Sequence, residues 1–517
     1  MRAAAIALAV VLAWPAAAAE PDTRVSPPQV VTAPESGPLR LSVEEAVALA
    51  LQHNPALLAE RQQPIVAGAF EAIERAVFDP ALFAGIERGA EVTEQTFADS
   101  GDNILVDRDT ESARIGLRQT LPTGTELELT LSQDRIESNR NPTQSGARAG
   151  LSITQALLRG AGIDTNLVAL RQARTDTLAS AYQLRGFVAT LVADVETTYW
   201  AYLGARERIR ILETSRELAE RQVEETRQRI DAGTLAETEL AAVRAEAAQR
   251  RQDLIDGRAE AARLRTELLR LIAPPGEADY GRGVEPVSEV DLEPVALEAA
   301  ADHVRLALDR RPELNEARLL LARNELEVVA TRNGLLPRLD LFVTLGGTGF
   351  AESYGDAWRG VDETDTYDLS AALEFEYPLG NRAARADNRR ALADRTAARA
   401  SLTNLERLVG ADVRAAVLEA ERAAAQIEAS GATRALREEA LAAEEARFDV
   451  GRSTSLLVAQ AQRDLVAARL DEADAYIAYR QALIDLYRLD GTLLVRRMIE
   501  APGWEPPSLN WERQGHQ

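Results

Sequence analysis

The chain has 517 residues, a formal net charge of -23 and 46% hydrophobic residues, so it can bury a large core and carries the Ala-, Glu-, Leu- and Arg-rich mixture of long packed helices. No lysine occurs and all 59 basic residues are arginine, which excludes Schiff-base lysine chemistry and a Gly-Lys phosphate loop, while the acidic balance argues against nucleic acid as a partner. The absence of cysteine excludes disulfides, thiolate metal sites, cysteine nucleophiles and a lipid anchor at a signal cleavage point.

In chain order, residues 1–19 read as a signal peptide, with Arg2 as the basic region, Ala3 to Trp14 as the apolar stretch and a cleavage site after Ala19. Residues 20–39 are polar and proline-rich and read as a flexible lead. A first structural repeat is expected over 40–276. Amphipathic helix leads to Pro80, and strands follow over about 81–157. There Leu127, Leu129 and Leu131 alternate with Glu126, Glu128 and Thr130 after a turn at Pro122-Thr123-Gly124, and Leu151 and Ile153 alternate with Ser152 and Thr154. The alternation gives each strand one apolar and one polar face, which suits a barrel wall between lipid and a wet lumen.

A helical hairpin is expected over 164–272. Leu184, Val188, Leu191, Val195, Tyr199 and Tyr202 recur in steps of three and four, a single packing stripe. A helix from about Asp164 to Asp231 is on the order of 100 Å long, beyond what a globular domain needs. Gly233 stops it as a left-handed cap, helix resumes at about Leu235, and Ala273-Pro274-Pro275-Gly276 ends the return at Ile272.

The second repeat, 277–494, runs through the same sequence of elements. Its strands are expected over about 338–378, with Tyr367, Leu369, Ala371, Leu373 and Phe375 alternating against Asp368, Ser370, Ala372, Glu374 and Glu376. Its hairpin is expected over 383–490, with a turn at Gly451 and a return helix from about Leu456. In the tail, 495–517, the stretch after about Met498 contains Pro502, Pro506 and Pro507 and is expected to extend along the surface without a packed core. Outside the signal peptide no stretch approaches the ~18 uncharged residues of a spanning helix, so any membrane crossing must be by a closed β-barrel.

The duplication is explicit. Ala50-Leu51-Gln52-His53-Asn54-Pro55-Ala56-Leu57 returns as Ala307-Leu308-Asp309-Arg310-Arg311-Pro312-Glu313-Leu314, a shift of 257 that also carries Pro80 onto Pro337. Further on, Arg229-Ile230-Asp231-Ala232-Gly233 returns as Arg447-Phe448-Asp449-Val450-Gly451 with a shift of 218. The first half therefore holds 39 extra residues between Pro80 and Ala193. Each half carries only a few strands, too few to close a barrel in one protomer, so closure requires a cyclic oligomer.

No constellation of catalytic groups is present, and no enzyme activity or cofactor is expected. His53, His303 and His516 are scattered and read as solvated surface residues. Gly346-Gly347-Thr348-Gly349 reads as a barrel loop rather than a phosphate loop. The arginines of Arg206 to Arg210 and Arg389 to Arg390 alternate with carboxylates and read as solvated or interhelical faces. The rival reading is a periplasmic coiled-coil adaptor or structural spacer without a barrel; it leaves the paired strand blocks unexplained.

From about Leu41 to Leu494 the chain resembles the TolC-like outer-membrane efflux proteins. The resemblance rests on the opening helix Leu41-Ser42-Val43-Glu44-Glu45-Ala46-Val47 leading to Asn54-Pro55, on Thr154-Gln155-Ala156-Leu157-Leu158-Arg159-Gly160 after a strand, on Tyr377-Pro378-Leu379-Gly380-Asn381 in the second half, and on the two glycine turns. It implies a mixed, mainly helical fold: a homotrimer whose duplicated hairpins form an α-barrel in the periplasm and whose strands contribute to a shared transmembrane β-barrel. It implies outer-membrane lipid around Leu127, Leu129, Leu131, Leu369, Leu373 and Phe375. It also implies tips at Gly233-Thr234-Leu235 and Gly451-Arg452-Ser453 that meet a periplasmic adaptor, which connects the duct to an inner-membrane pump. Some family members ring the periplasmic aperture with aspartates six and nine residues after the second tip glycine. Here those positions are Leu457 and Gln460, with Glu239 as the available carboxylate. Twelve strands per trimer is the preferred expectation; eighteen follows if the extra residues form a hairpin, near Ala113 to Leu121 and Thr125 to Ser132, that joins the wall.

Overall fold

The computed structural model describes residues 23–26, 37–96, 101, 103–273, 280–288, 293–363 and 366–503. The signal peptide, most of the lead, Pro274-Pro275-Gly276 and the tail beyond Gly503, with Trp504, Trp511 and His516, lie outside them.

The elements in chain order are β1 (Leu39–Leu41), α1 (Val43–His53), α2 (Pro55–Glu60), α3 (Gln63–Ala76), β2 (Ala81–Thr96), β3 (Asn103–Leu121), β4 (Thr125–Ser138), β5 (Gln144–Ala156), α4 (Ile163–Asn166), α5 (Val168–Asp231) and α6 (Glu239–Ile272). There follow β6 (Val284–Pro286), α7 (Ala300–Arg310), α8 (Pro312–Asn333), β7 (Arg338–Ala351), α9 (Tyr354–Glu363), β8 (Tyr367–Glu376), α10 (Arg382–Asp449), α11 (Ser455–Leu489) and α12 (Leu493–Arg496). The two long helices have 64 and 68 residues, ~96 and ~102 Å at 1.5 Å per residue. The first begins at Val168 rather than Asp164, behind the separate turn of α4, and its return helix begins at Glu239 rather than Leu235.

Local chemistry explains where the helices start. Ser42 and Glu45 form a reciprocal capping box at α1: the Ser42 hydroxyl accepts from Glu45 N–H at 3.2 Å and Ser42 N–H donates to the Glu45 carboxylate at 2.8 Å. Asn54 caps α2 by accepting from Ala56 and Leu57 N–H, with Pro55 at the first helical position, where its missing N–H costs nothing. Pro312 opens α8 in the same way, so the repeated dipeptide position does the same job twice.

The chain divides into two compact units. The strand-bearing unit holds Val66–Thr177 and Leu320–Ala400; the helical unit holds Asp22–Ile65, Leu178–Leu319 and Ser401–Gln517, so far as these are described. In the strand-bearing unit one six-stranded, wholly antiparallel sheet runs in the order β2-β3-β4-β5-β7-β8. Six strands rather than four come from one chain, because the 39 additional residues fold into the sheet itself.

In the helical unit the stripe of Leu184, Val188, Leu191, Val195, Tyr199 and Tyr202 is buried against α1, Leu268 to Ile272 and Leu493-Leu494. Two short strands that alternation did not predict, β1 and β6, pair in parallel and join the segments that begin the two repeats. Buried tyrosines hold them: Tyr199 donates to the Leu41 carbonyl at 2.9 Å and Tyr202 to the Val284 carbonyl at 2.9 Å. Each phenol thereby finds the partner that burial demands. The second repeat builds its own core from Val409, Val413, Val417, Ala420, Tyr479, Leu483 and Leu486.

Two expectations fail here. His303 is not a solvated surface residue: it is 1% exposed, and its Nδ1 donates to Asp490 at 2.9 Å. The other Asp490 oxygen accepts from the backbone and hydroxyl of Thr492, so the three residues close the end of α11 as one buried polar cluster. The start of the tail is not an extended surface segment either. Ile499 is buried and Glu500 bridges to Ser26, because the turn after α12 returns apolar side chains to the first core.

Candidate functional site

Two features stand out as candidates, one in each unit: the faces of the sheet and the tips of the hairpins.

Because side chains alternate along every strand, the register decides what each face presents. One row across the sheet reads Leu82, Leu117, Leu129, Leu151, Leu345, Leu369, one leucine from each of the six strands. Ala84, Ile115, Leu131 and Ala149 lie on one side of it, and Leu127, Ile153, Val343 and Ala371 on the other. All six positions singled out in the sequence, Leu127, Leu129, Leu131, Leu369, Leu373 and Phe375, thus share this face. It is strongly exposed in the single chain, Leu82 at 71% and Ile86 at 90%. Leaving so many contiguous large side chains in water is costly at ~25 cal/mol per Å2 and marks a surface meant to be covered.

The opposite face is polar and ion-paired. Arg118 donates from Nε and a terminal nitrogen to one Glu128 oxygen at 2.8 and 2.6 Å, Arg148 is bidentate to Asp368 at 3.0 and 2.8 Å, and Thr344 and Ser370 share a hydrogen bond. The Arg148 pair ties β5 to β8 across β7, so it fixes the mutual placement of strands from both repeats.

The four residues 346–349 are not a loop. They lie inside β7, where Gly347 and Gly349 make room for α9 to pack on the apolar face just beyond the leucine row. A Cβ at Gly349 would run into the Ala357 carbonyl oxygen, and Gly360 packs back against Gly349. Ala357 is fully buried by this approach. Trp358 Nε1 donates to Gln133 at 3.1 Å, and Arg135 stacks over Tyr354 at 5.8 Å. No periodicity of length two or 3.6 announces a ten-residue helix between strands; the signal is the pair of glycines two apart in β7. Gly349→Val is expected to lift α9 off the sheet without removing the strands. Limited proteolysis should then cut within Tyr354–Glu363 at least ten times faster, and unchanged protection would show that the close packing is dispensable.

The hairpin tips in the helical unit are closed by the same device twice. Gly233 and Gly451 take φ of 75° and 73°, the left-handed region that glycine enters without a Cβ clash. Thr234 N–H donates to the Arg229 carbonyl at 2.9 Å and Arg452 N–H to the Arg447 carbonyl at 2.8 Å, the Schellman closure that satisfies otherwise orphaned carbonyls. Sequence reading missed what joins the tips. The Arg229 guanidinium lies 4.8 Å over the Phe448 ring and 3.7 Å from Asp449. With Leu218, Gln222, Val458 and Gln462 these residues line a groove of about 280 Å3. Glu239, at the start of α6, accepts from the Ser455 hydroxyl at the start of α11, whereas Leu457 and Gln460 are exposed. The carboxylate is thus engaged within the chain. Among the described residues no group of His, Cys, Asp and Glu has metal-binding geometry.

A duplicated chain of long helical hairpins, each continuous with strands of one two-faced antiparallel sheet, defines a mainly helical fold of the channel-forming type with an α-barrel and a β-barrel part. The chain belongs to the outer membrane efflux protein family: the model of that family matches residues 46–273 and 304–492, once in each repeat. Among solved structures it is similar in fold to the CmeC outer membrane channel of Campylobacter jejuni, with a TM-score of 0.66, 14% identity and coverage of 92% of this chain and 89% of that one. It is also similar to the outer membrane protein VceC of Vibrio cholerae, with a TM-score of 0.62, 14% identity and coverage of 87% and 96%. For the MtrE outer membrane channel of Neisseria gonorrhoeae, solved in an open state, the TM-score is 0.61, the identity 16% and the coverage 92% and 97%. No curated protein matches the chain in sequence.

Proposed function

We propose that the chain is the outer-membrane duct of a tripartite efflux or type I secretion system, a homotrimer that conducts passively and has no catalytic activity of its own. The observation that carries this reading is the sheet: an exposed leucine-rich face, an ion-paired opposite face and two unpaired edge strands, β2 and β8. Lipid is the solvent that accepts such a face, with Leu127, Leu129, Leu131, Leu369, Leu373 and Phe375 turned to it, and closure with further copies satisfies the edges. A coiled-coil adaptor or spacer would have no use for such a sheet. The helical part then stands in the periplasm. Its tips, Gly233-Thr234-Leu235 and Gly451-Arg452-Ser453, contact a periplasmic adaptor that links the duct to an inner-membrane pump, and Glu239, Leu457 and Gln460 lie at the aperture. Adaptor contact biases the aperture between closed and open arrangements.

Native mass spectrometry of the detergent-solubilised outer-membrane fraction tests the reading. A trimer is expected, and a monomer recovered from the periplasm instead would overturn it. The tips have their own test. Valine at both Gly233 and Gly451 forces a Cβ into left-handed backbone at a cost on the order of 1–3 kcal/mol each, confined to the turns. Trimer yield should hold while recovery of the adaptor by cross-linking falls at least tenfold; undiminished recovery would place docking elsewhere.

A further inference from the structure

From the sheet we infer that all six strands of each copy belong to the membrane wall, so that the trimer closes an eighteen-stranded barrel; this rests on the trimeric duct proposed above and adds the width of its bore. Four observations converge. The leucine row passes without interruption through β3 and β4, where Leu117 and Leu129 join Leu82 on β2 to Leu151, Leu345 and Leu369. An appended hairpin standing in water would have no reason to keep that row.

The belt also drifts. Its centre on β2 is Ala84, whose register leads across the sheet to Tyr367, yet the centre on β8 is Ala371, four residues further along. Four residues are ~13 Å along a strand and five strand spacings are ~24 Å across, a slope of about 30°. Strands tilted by ~35–45° in a membrane barrel require a drift of about five to seven residues over this span if the belt is to stay level, and the four seen here approach it.

Next, the turn between β3 and β4 is anchored at the base of the wall. Thr123 and Pro122 carbonyls accept from Gly162 N–H at 3.2 Å and Asn166 Nδ2 at 3.1 Å, and Gly124, at φ 83°, leaves no room for a Cβ beside the Gly160 carbonyl. Finally, the free edges β2 and β8 run in opposite directions, because six strands alternate between them. The β8 edge of one copy and the β2 edge of the next therefore continue the antiparallel pattern, and three copies close with an even number of strands.

The consequence is size. At a strand spacing of ~4.8 Å and a tilt of ~40°, eighteen strands give a backbone diameter of ~36 Å and twelve ~24 Å. After side chains the wider bore admits a polypeptide with two packed helices, each ~10–12 Å across, whereas the narrower admits one.

Cryo-electron microscopy of the full chain in lipid nanodiscs tests the inference. Eighteen strands around a bore of that width are expected. A trimer with twelve strands and β3–β4 outside the wall would overturn the inference and leave the trimeric duct standing, whereas particles without a closed barrel would overturn both. The absence of native cysteine allows an independent check: Leu117→Cys should react with a membrane-soluble maleimide and resist a membrane-impermeant one, and rapid reaction with the impermeant reagent would put β3 in water.

Discussion

Arginine at Leu151 is expected to abolish accumulation of the trimer in the outer membrane, while arginine at the next residue, Ser152, leaves it within about twofold of the unmodified level. The two positions sit on β5, in the middle of the sheet, and differ only in the face they present. Leu151 belongs to the leucine row, where an arginine near the bilayer midplane costs ~2–4 kcal/mol, a cost met three times in a trimer. Ser152 points to the other face and lies directly across from Glu128, so a guanidinium there meets water and a carboxylate. Quantifying the trimer in outer-membrane fractions by native mass spectrometry decides the matter. Equal yields from the two variants would show that the apolar face does not meet lipid.

The second large effect concerns folding of the helical unit. Arg497→Ala should destabilise it by ~3–5 kcal/mol, because Glu196 is only 1% exposed and its carboxylate is held by both Nε and a terminal nitrogen of Arg497, at 2.5 and 2.7 Å. Burial by itself lowers the affinity of the Arg497 guanidinium for its proton, yet the hydrogen bond and charge of Glu196, with the charges of Glu44 and Tyr487, together offset this and hold it above the ordinary arginine range. Removing the guanidinium strands a buried carboxylate on the helix face that also carries Val192 and Trp200, four residues to either side. The double variant Glu196→Leu with Arg497→Met should recover most of the loss, since two apolar groups of similar size leave nothing buried and unpaired. Thermal unfolding of the purified protein measures both. A single variant within ~1 kcal/mol of the parent would mean that water reaches Glu196 when its partner is gone.

The long helices, their glycine turns and the duplication were legible in the residues because each rests on chemistry local in sequence. A stripe in steps of three and four has only one way to bury itself, and a glycine in the left-handed region ends a helix whatever surrounds it. The alternation of Leu127, Leu129 and Leu131 likewise needs no neighbour to set which way each side chain points. His303 was misread because its own helix turn looks solvated; only the arrival of Asp490, almost two hundred residues later, buries it. The glycines inside β7 looked like a loop because nothing nearby discloses that a helix packs on them.

What the sequence by itself determined is therefore the set of elements, their twofold recurrence and the two-faced character of the strands, all products of periodicity and backbone preference. Only the tertiary structure decided that six strands rather than four share one sheet, that their leucines fall into one row, and that Arg229 and Phe448 bring the two tips together. Register and cross-repeat contact depend on which surfaces meet, and that choice is made by burying the whole chain at once rather than by any stretch of it alone.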